Sequence, residues 1–155
     1  LALRIAGDPY AIRVADINGL HTDRRIMPLP SPMTELLGVT GFRGQIAPVY
    51  DLAALLGYGR AVSARWLILL RSATGEPLCL AFDCFETHFS VSPHDIASSP
   101  SDMAQASDSM RQIRPHLFSA VLRNEILHPI IQLSSLLQDL QTRADSYISK
   151  RRDLS

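Results

Sequence analysis

Leu37-Gly38-Val39-Thr40-Gly41-Phe42-Arg43-Gly44-Gln45-Ile46-Ala47-Pro48-Val49-Tyr50-Asp51-Leu52, closed by Leu56-Gly57, is the stretch whose reading decides the fold. Leu37–Arg43 and Gln45–Asp51 read as two strands of a hairpin, with Gly38, Gly41 and Gly44 supplying backbone freedom in or beside it. Pro48 cannot donate to a ladder, so the second strand is expected at a sheet edge or beside a bulge. Asp51 suits the cap of a short helix over Leu52–Leu56, and Gly57 suits its end. Arg43, with glycines close on either side, is presented outward at the tip. Its planar fork could hold a carboxylate or amide of a partner, or else only cap local carbonyls.

On the N-terminal side, Leu1, Leu3 and Ile5, then Tyr10, Ile12 and Val14, alternate with period two around Gly7-Asp8-Pro9. This predicts a hairpin turning at residues 7–9. Val14, Ile17 and Leu20 are spaced by three, which fits a helical turn or a bent strand. Pro28, Pro30 and Pro32 impose an extended loop, after which Thr34 is placed to cap one short helical turn through Leu37.

On the C-terminal side, residues 58–64 lack a period and are taken as a boundary between halves. Trp66–Leu70 and the alternation Leu78, Leu80, Phe82 predict two strands around a turn at Ser72–Pro77, and Phe85 and Phe89 carry the apolar pattern on to Val91. Ser92–Ser109 reads as a long polar loop with room for one short helix. Phe118–Leu122 and Leu127–Leu133 predict a last hairpin across Arg123-Asn124-Glu125. Leu133, Leu136, Leu137, Leu140, Ala144, Tyr147 and Ile148 fall at helical spacing, with Ser134 or Ser135 as cap. Many short strands point to small barrels or a sandwich.

With 155 residues, the chain can bury a core without disulfides or metals. Fifteen basic residues balance fifteen acidic ones, and the basic clusters are only Arg24-Arg25 and Lys150-Arg151-Arg152. No phosphate-neutralising stripe is present, so nucleic acid is not an expected partner. Two cysteines, Cys79 and Cys84, suit a reduced, cytoplasmic setting rather than a disulfide scaffold. No apolar run has the length to cross a bilayer, so no direct membrane insertion is expected. The start at Leu1 fits a segment of something longer.

The sequence carries no Gly-rich loop ending in Gly-Lys-Ser/Thr, no Gly-x-Ser-x-Gly and no His-Glu-x-x-His. Cys84 and His88 share a face on a helix or a strand, but a zinc site needs three or four ligands, and no further ligand is placed beside them by spacing. A thiol or metal enzyme is therefore the weakest reading. No catalytic residue, no metal and no cofactor is assigned, and the chain is not expected to be an enzyme.

The phrase Gly38-Val39…Arg43-Gly44…Pro48-Val49…Asp51-Leu52…Leu56-Gly57 resembles the CheW family. Tyr10-Ala11-Ile12 with Val14, Ile17 and Leu20, the loop of Pro30 and Pro32, Leu80-Ala81-Phe82-Asp83, Phe118–Leu122 and Ile126–Leu137 extend the resemblance over residues 1–140, leaving 141–155 as a helical extension. The resemblance implies a mostly β fold of two packed, five-stranded SH3-like barrels with short helices and a C-terminal amphipathic helix. It implies a non-catalytic adaptor that joins the helical tip of a methyl-accepting chemoreceptor to the regulatory domain of a CheA-type histidine kinase. Carried over by position, Arg43, Gly38 and Gly44 are receptor-binding candidates, and Ile17, Leu20 and Gly19 are kinase- or groove-contact candidates. Gly19 departs from the acidic residue many relatives carry there; Phe42 replaces leucine, Phe82 replaces valine, and Cys79 and Ala120 stand near family glycines. The same resemblance also fits a regulatory module within a larger signalling protein. The apolar stripe running on to Tyr147 and Ile148 suggests self-association through the C-terminal helix.

Overall fold

The structure is a computed structural model and describes residues 1–59, 63–97 and 116–153. Two sheets hold nearly all of the regular structure. The first runs in the order β8 (Cys84–Thr87), β1 (Ala2–Ile5), β2 (Asp8–Ala11), β11 (Ile126–Ile131), β10 (Leu117–Arg123), β9 (Ile96–Ala97). The second runs β3 (Gly19–Thr22), β6 (Trp66–Arg71), β7 (Pro77–Phe82), β5 (Gln45–Asp51), β4 (Leu36–Phe42). Two α-helices complete it among the described residues: α1 (Leu52–Leu55) and α2 (Leu133–Arg152). The expected mostly β, two-part architecture is what the chain adopts, with Ile96–Ala97 adding a sixth short strand to one sheet.

The two parts are nested rather than consecutive. β5 and β6 belong to the same sheet, so the chain does not change sheets between them; it crosses between Ala11 and Gly19 and again at Asp83. Both crossings feed a shared core. Leu3, Ile5, Tyr10 and Ile12 meet Ile68, Leu70, Leu78, Leu80 and Phe82 from the other sheet, and α1 and the first half of α2 cover the seam with Leu52, Leu56, Leu133, Leu136 and Leu140. β7 is buried at all six positions, because its other face, Cys79 and Ala81, packs inside the second sheet against Phe42, Val49 and Leu67. A strand covered on both sides reads as a continuous apolar run.

Several local expectations shift by a few residues, each for a physical reason. The first hairpin turns at Ala6-Gly7, both at positive φ (51° and 87°), not at residues 7–9. In a two-residue hairpin the closing pair, Ile5 and Asp8, exchanges both hydrogen bonds, so Pro9 points its nitrogen away from β1 and is tolerated in the strand. Thr34 caps no helix: Thr34 and Glu35 form a turn closed by the Leu36 amide on the Met33 carbonyl (3.2 Å), and Leu36 is already strand. Pro48 lies in an interior strand, yet its nitrogen is not needed. It faces away from Val39, and pairing with β7 begins only at Val49. A bulge in β4 between Leu36 and Gly38 lies just beyond it. Asp51 caps α1 as expected, its Oδ1 accepting from the Ala53 amide at 3.0 Å, and Gly57 ends the turn at φ 83°.

The Val14-Ile17-Leu20 spacing resolves into a 3₁₀ turn over Val14–Asp16 followed by β3. Neither Ser134 nor Ser135 caps α2. Gln132 stands at the N-cap without a side-chain bond, and Ser135 Oγ instead pairs with His116 Nδ1 at 3.0 Å. Only Leu133, Leu136 and Leu140 of the apolar stripe are buried. Arg143 then ties the helix back, bonding Glu35 at 2.9 Å and Asp139 at 2.8 Å, while Tyr147 and Ile148 stay exposed. The polar loop at 92–109 opens with a 3₁₀ turn, Pro93–Asp95, and β9; its remainder, 98–109, lies outside the described residues.

Candidate functional site

The β4–β5 hairpin turns at Arg43-Gly44, at φ 46° and 80°. A left-handed pair is the turn that matches strand twist, and the second position takes glycine freely. Arginine at the first position carries a steric penalty of roughly 1 kcal/mol. Arg43 is exposed and makes no hydrogen bond or ion pair among the described residues. It therefore does not cap local carbonyls. Replacing it by asparagine, which tolerates this conformation, is expected to raise unfolding free energy by about 0.5–1 kcal/mol in urea titrations. A loss of stability would show that the guanidinium supports the hairpin.

Arg43 overlooks a depression of about 420 Å³ between the hairpin tip, β3 and the facing ends of β6 and β7. Its floor comes from register: Gly19 pairs with Leu69 and Leu20 with Ile68, which sets Gly19, Leu20 and His21 beside the end of β6. The His21 ring meets the Phe42 ring edge-on at 4.7 Å between centroids. Arg24 lies over the same ring at 4.6 Å and reaches the Gly41 carbonyl at 3.4 Å. Arg71, held by the Gly75 carbonyl at 2.8 Å, closes the far wall. Among the described residues, three guanidinium groups line the depression and no carboxylate does. Burial, then the charges of Arg24 and Arg43, hold the His21 imidazole below its ordinary pKa, so the ring is neutral at neutral pH.

Of the six residues picked from sequence, the depression gathers Arg43, Gly19 and Leu20, with Gly44 adjacent in the turn. Receptor and kinase-or-groove candidates thus share one place. Ile17 does not line it, but packs half-buried on the shared core. Gly38 is at the far end of β4, against the backbone of Met27. His21, Arg71 and the role of Phe42 went unread in the sequence. The basic cluster Arg24-Arg25 held the one usable signal, since Arg24 is stacked on Phe42 and lines the site.

The arrangement offers contact chemistry: guanidinium donors stand beside apolar Leu20, Phe42, Leu69 and Pro77. Cys79 is buried and its thiol pushed up to about 11 by desolvation, whereas Cys84 is exposed. Among the described residues, no three His, Cys, Asp or Glu side chains gather as a metal would need. Among the described residues no helix is long and apolar enough to cross a membrane.

A family model for the CheW-like domain matches residues 1–141. The chain belongs to that family. The chemotaxis protein CheW of Rhizobium meliloti (strain 1021) is 24% identical over 101 residues, 64% of this chain, and the match spans 65% of that protein, just under two thirds of its length. The scaffolding protein TtCheW of Thermoanaerobacter tengcongensis superposes with a TM-score of 0.68 at 18% identity, covering 84% of this CheW-like chain and 85% of its own. That likeness shows the shared fold. The family match ends within α2, whose last eleven helical residues, 142–152, lie beyond it.

Proposed function

We propose that this CheW-like chain is a non-catalytic chemosensory scaffold that couples a chemoreceptor helical tip to the regulatory domain of a CheA-type histidine kinase. Residues 1–140 act as the coupling unit, and 141–155 as an extension that offers a second copy a face for self-association. The protein works in the cytoplasm, held at receptor arrays by its partners. The observation that carries this reading is Arg43, an exposed guanidinium without a partner among the described residues, kept on a strained turn over a depression. A residue held in an unfavourable conformation with no internal bond to justify it suggests an external one.

The test is co-purification of the full chain with a receptor hairpin and, separately, with a kinase regulatory domain. Arg43→Asp is expected to weaken receptor binding at least tenfold, about 1.4 kcal/mol or more, since a charge-assisted bond is lost and a repulsion added. Kinase-domain binding should stay as in the parent, and the thermal melt should not fall, since aspartate tolerates the left-handed turn as asparagine does. Receptor binding that survives Arg43→Asp intact would remove the depression from the receptor interface.

A further inference from the structure

α2 is buried along only its first half. Leu133, Leu136 and Leu140 pack on the core, and no described residue after Leu140 is buried. Tyr147 and Ile148 are 42% and 57% exposed. Ile148 also ends a second stripe. Leu137, Gln141, Ala144 and Ile148 recur at intervals of four, three and four, which sets them on one face beside the buried one. Along the first half of that stripe runs a groove of about 680 Å³ between α2 and the turn that joins β6 to β7. Leu78, Leu137, Leu140 and Ala144 give it apolar walls, and Arg71 and Glu76 stand at its edge. Arg71 is turned onto the Gly75 carbonyl at 2.8 Å, whereas the Glu76 carboxylate has no ion pair among the described residues.

We infer that this groove is filled by the second half of α2 from a second copy of the chain, in an antiparallel pair whose two-fold axis passes beside Ala144. The occupant follows from the spacing. With Ala144 opposite its twin, position 148 of one copy comes level with 140 of the other, and 147 with 141. Tyr147 and Ile148, which lack a cover of their own, thus meet Leu140 and Gln141, which line the groove. Alanine at the axis lets the two helices approach to about 8 Å. The basic run Lys150-Arg151-Arg152 arrives at the end of the groove that carries Glu76, a rim charge that fixes direction. Each copy offers one groove and one insert, so a single pairing fills both and closes. A parallel pair would bring the exposed halves together and leave both grooves open.

The inference rests on the reading of residues 141–155 as a self-association face, and it adds the seat that receives that face. A helical segment this short, with no packed side, is marginal in water and gains from a cover. The insert lies past residue 141, where the family match ends, so the pairing belongs to this chain's extension. The groove shares only Arg71 with the depression beneath Arg43, so pairing and coupling use different walls.

The test is sedimentation equilibrium of the full chain from about 2 to 200 μM, together with cysteine cross-linking. Expected is a mass that climbs toward twice that of one chain. Ile148→Glu should weaken the dimer by about tenfold or more while the thermal melt holds, because Ile148 is exposed within one copy. Glu76→Lys should also weaken it, and more so at low salt. In a Cys84→Ser background, where the remaining Cys79 is buried, Ala144→Cys should form an intermolecular disulfide under copper–phenanthroline oxidation. Thr142→Cys, on the far side of the helix, should not. A dimer indifferent to Ile148→Glu, or cross-linked as readily through position 142 as through 144, overturns this seat and leaves self-association standing. A monomer at every concentration defeats both. So does a monomer whose Ile148→Glu variant loses receptor or kinase-domain binding, which would give the face to that partner instead.

Discussion

Gly38→Ala is expected to destabilise the protein by about 3–4 kcal/mol, through backbone strain and the loss of two backbone hydrogen bonds. Gly38 sits at φ 149°, which L side chains rarely adopt. A Cβ there would drive into the Met27 carbonyl oxygen, and would lie 2.7 Å from the Met27 carbonyl carbon and 2.9 Å from Pro28 Cα. These are backbone atoms, so no rotamer change relieves them. The segment that must yield is held by a two-way bridge: Met27 N to Val39 O at 2.8 Å, and Val39 N to Met27 O at 2.9 Å. Pushing it out also frees the proline loop from β4. Urea unfolding measures the loss, and a cost below about 1 kcal/mol would contradict the geometry. The resemblance implied receptor binding at this glycine. The structure assigns it a scaffold role, four residues of β4 away from the tip that bears Arg43. Under conditions where Gly38→Ala remains folded, residual binding should follow the folded fraction.

The second large effect is alkaline. Tyr10 is fully buried, and donates to the Tyr58 hydroxyl at 2.6 Å, which in turn donates to Asp8 Oδ2 at 2.6 Å. The chain of bonds spans the seam, from β2 in one sheet to the segment after α1 beside the other. Burial, offset by the Tyr58 hydrogen bond and reinforced by the Asp8 charge, pushes Tyr10 up to about 12; Tyr58 moves up as well, for burial and for its bond to Asp8. Below pH 10 both states keep the phenolic proton and the stabilisation is complete. Between about pH 10 and 12 the unfolded chain loses protons the native one retains, so unfolding becomes easier by about 1.4 kcal/mol per unit, or roughly 3 kcal/mol from Tyr10 over that window. Tyr58→Phe leaves the buried Tyr10 hydroxyl without its acceptor and should cost about 2 kcal/mol at pH 8. Denaturant titrations at pH 8, 10 and 11.5 check both. A parent protein whose stability is flat from pH 10 to 11.5 would dismiss the relay.

The elements that sequence reading placed well are those whose cause is local. The β4–β5 hairpin, its Arg43-Gly44 turn, the Asp51 cap and the Asn124-Glu125 turn of the last hairpin all depend on a few consecutive residues. Two misplaced caps share one origin, which is competition from distant partners. Thr34 reads as a cap, but the Glu35 carbonyl is taken by the Asp51 amide at 2.8 Å, drawing that segment into the sheet. Ser135 reads as a cap, but His116 holds its hydroxyl. Residues 58–64 lack a period in the sequence, while β5 before them and β6 after them share one sheet.

By itself the sequence determined the family, the mostly β class, the outward arginine and the amphipathic start of α2, because turn chemistry, capping and apolar periodicity act over a few bonds' distance. Only the tertiary structure decided the nesting of one sheet inside the other, and with it the site. Gly19, Arg43 and Arg71 converge because β3 pairs with β6 and β6 with β7, contacts between residues dozens of positions apart that no local pattern encodes. Arg43 could be read as a binding residue from its turn. That it faces an arginine-lined depression, with His21 folded over Gly19, follows only from the register of the sheet beneath it.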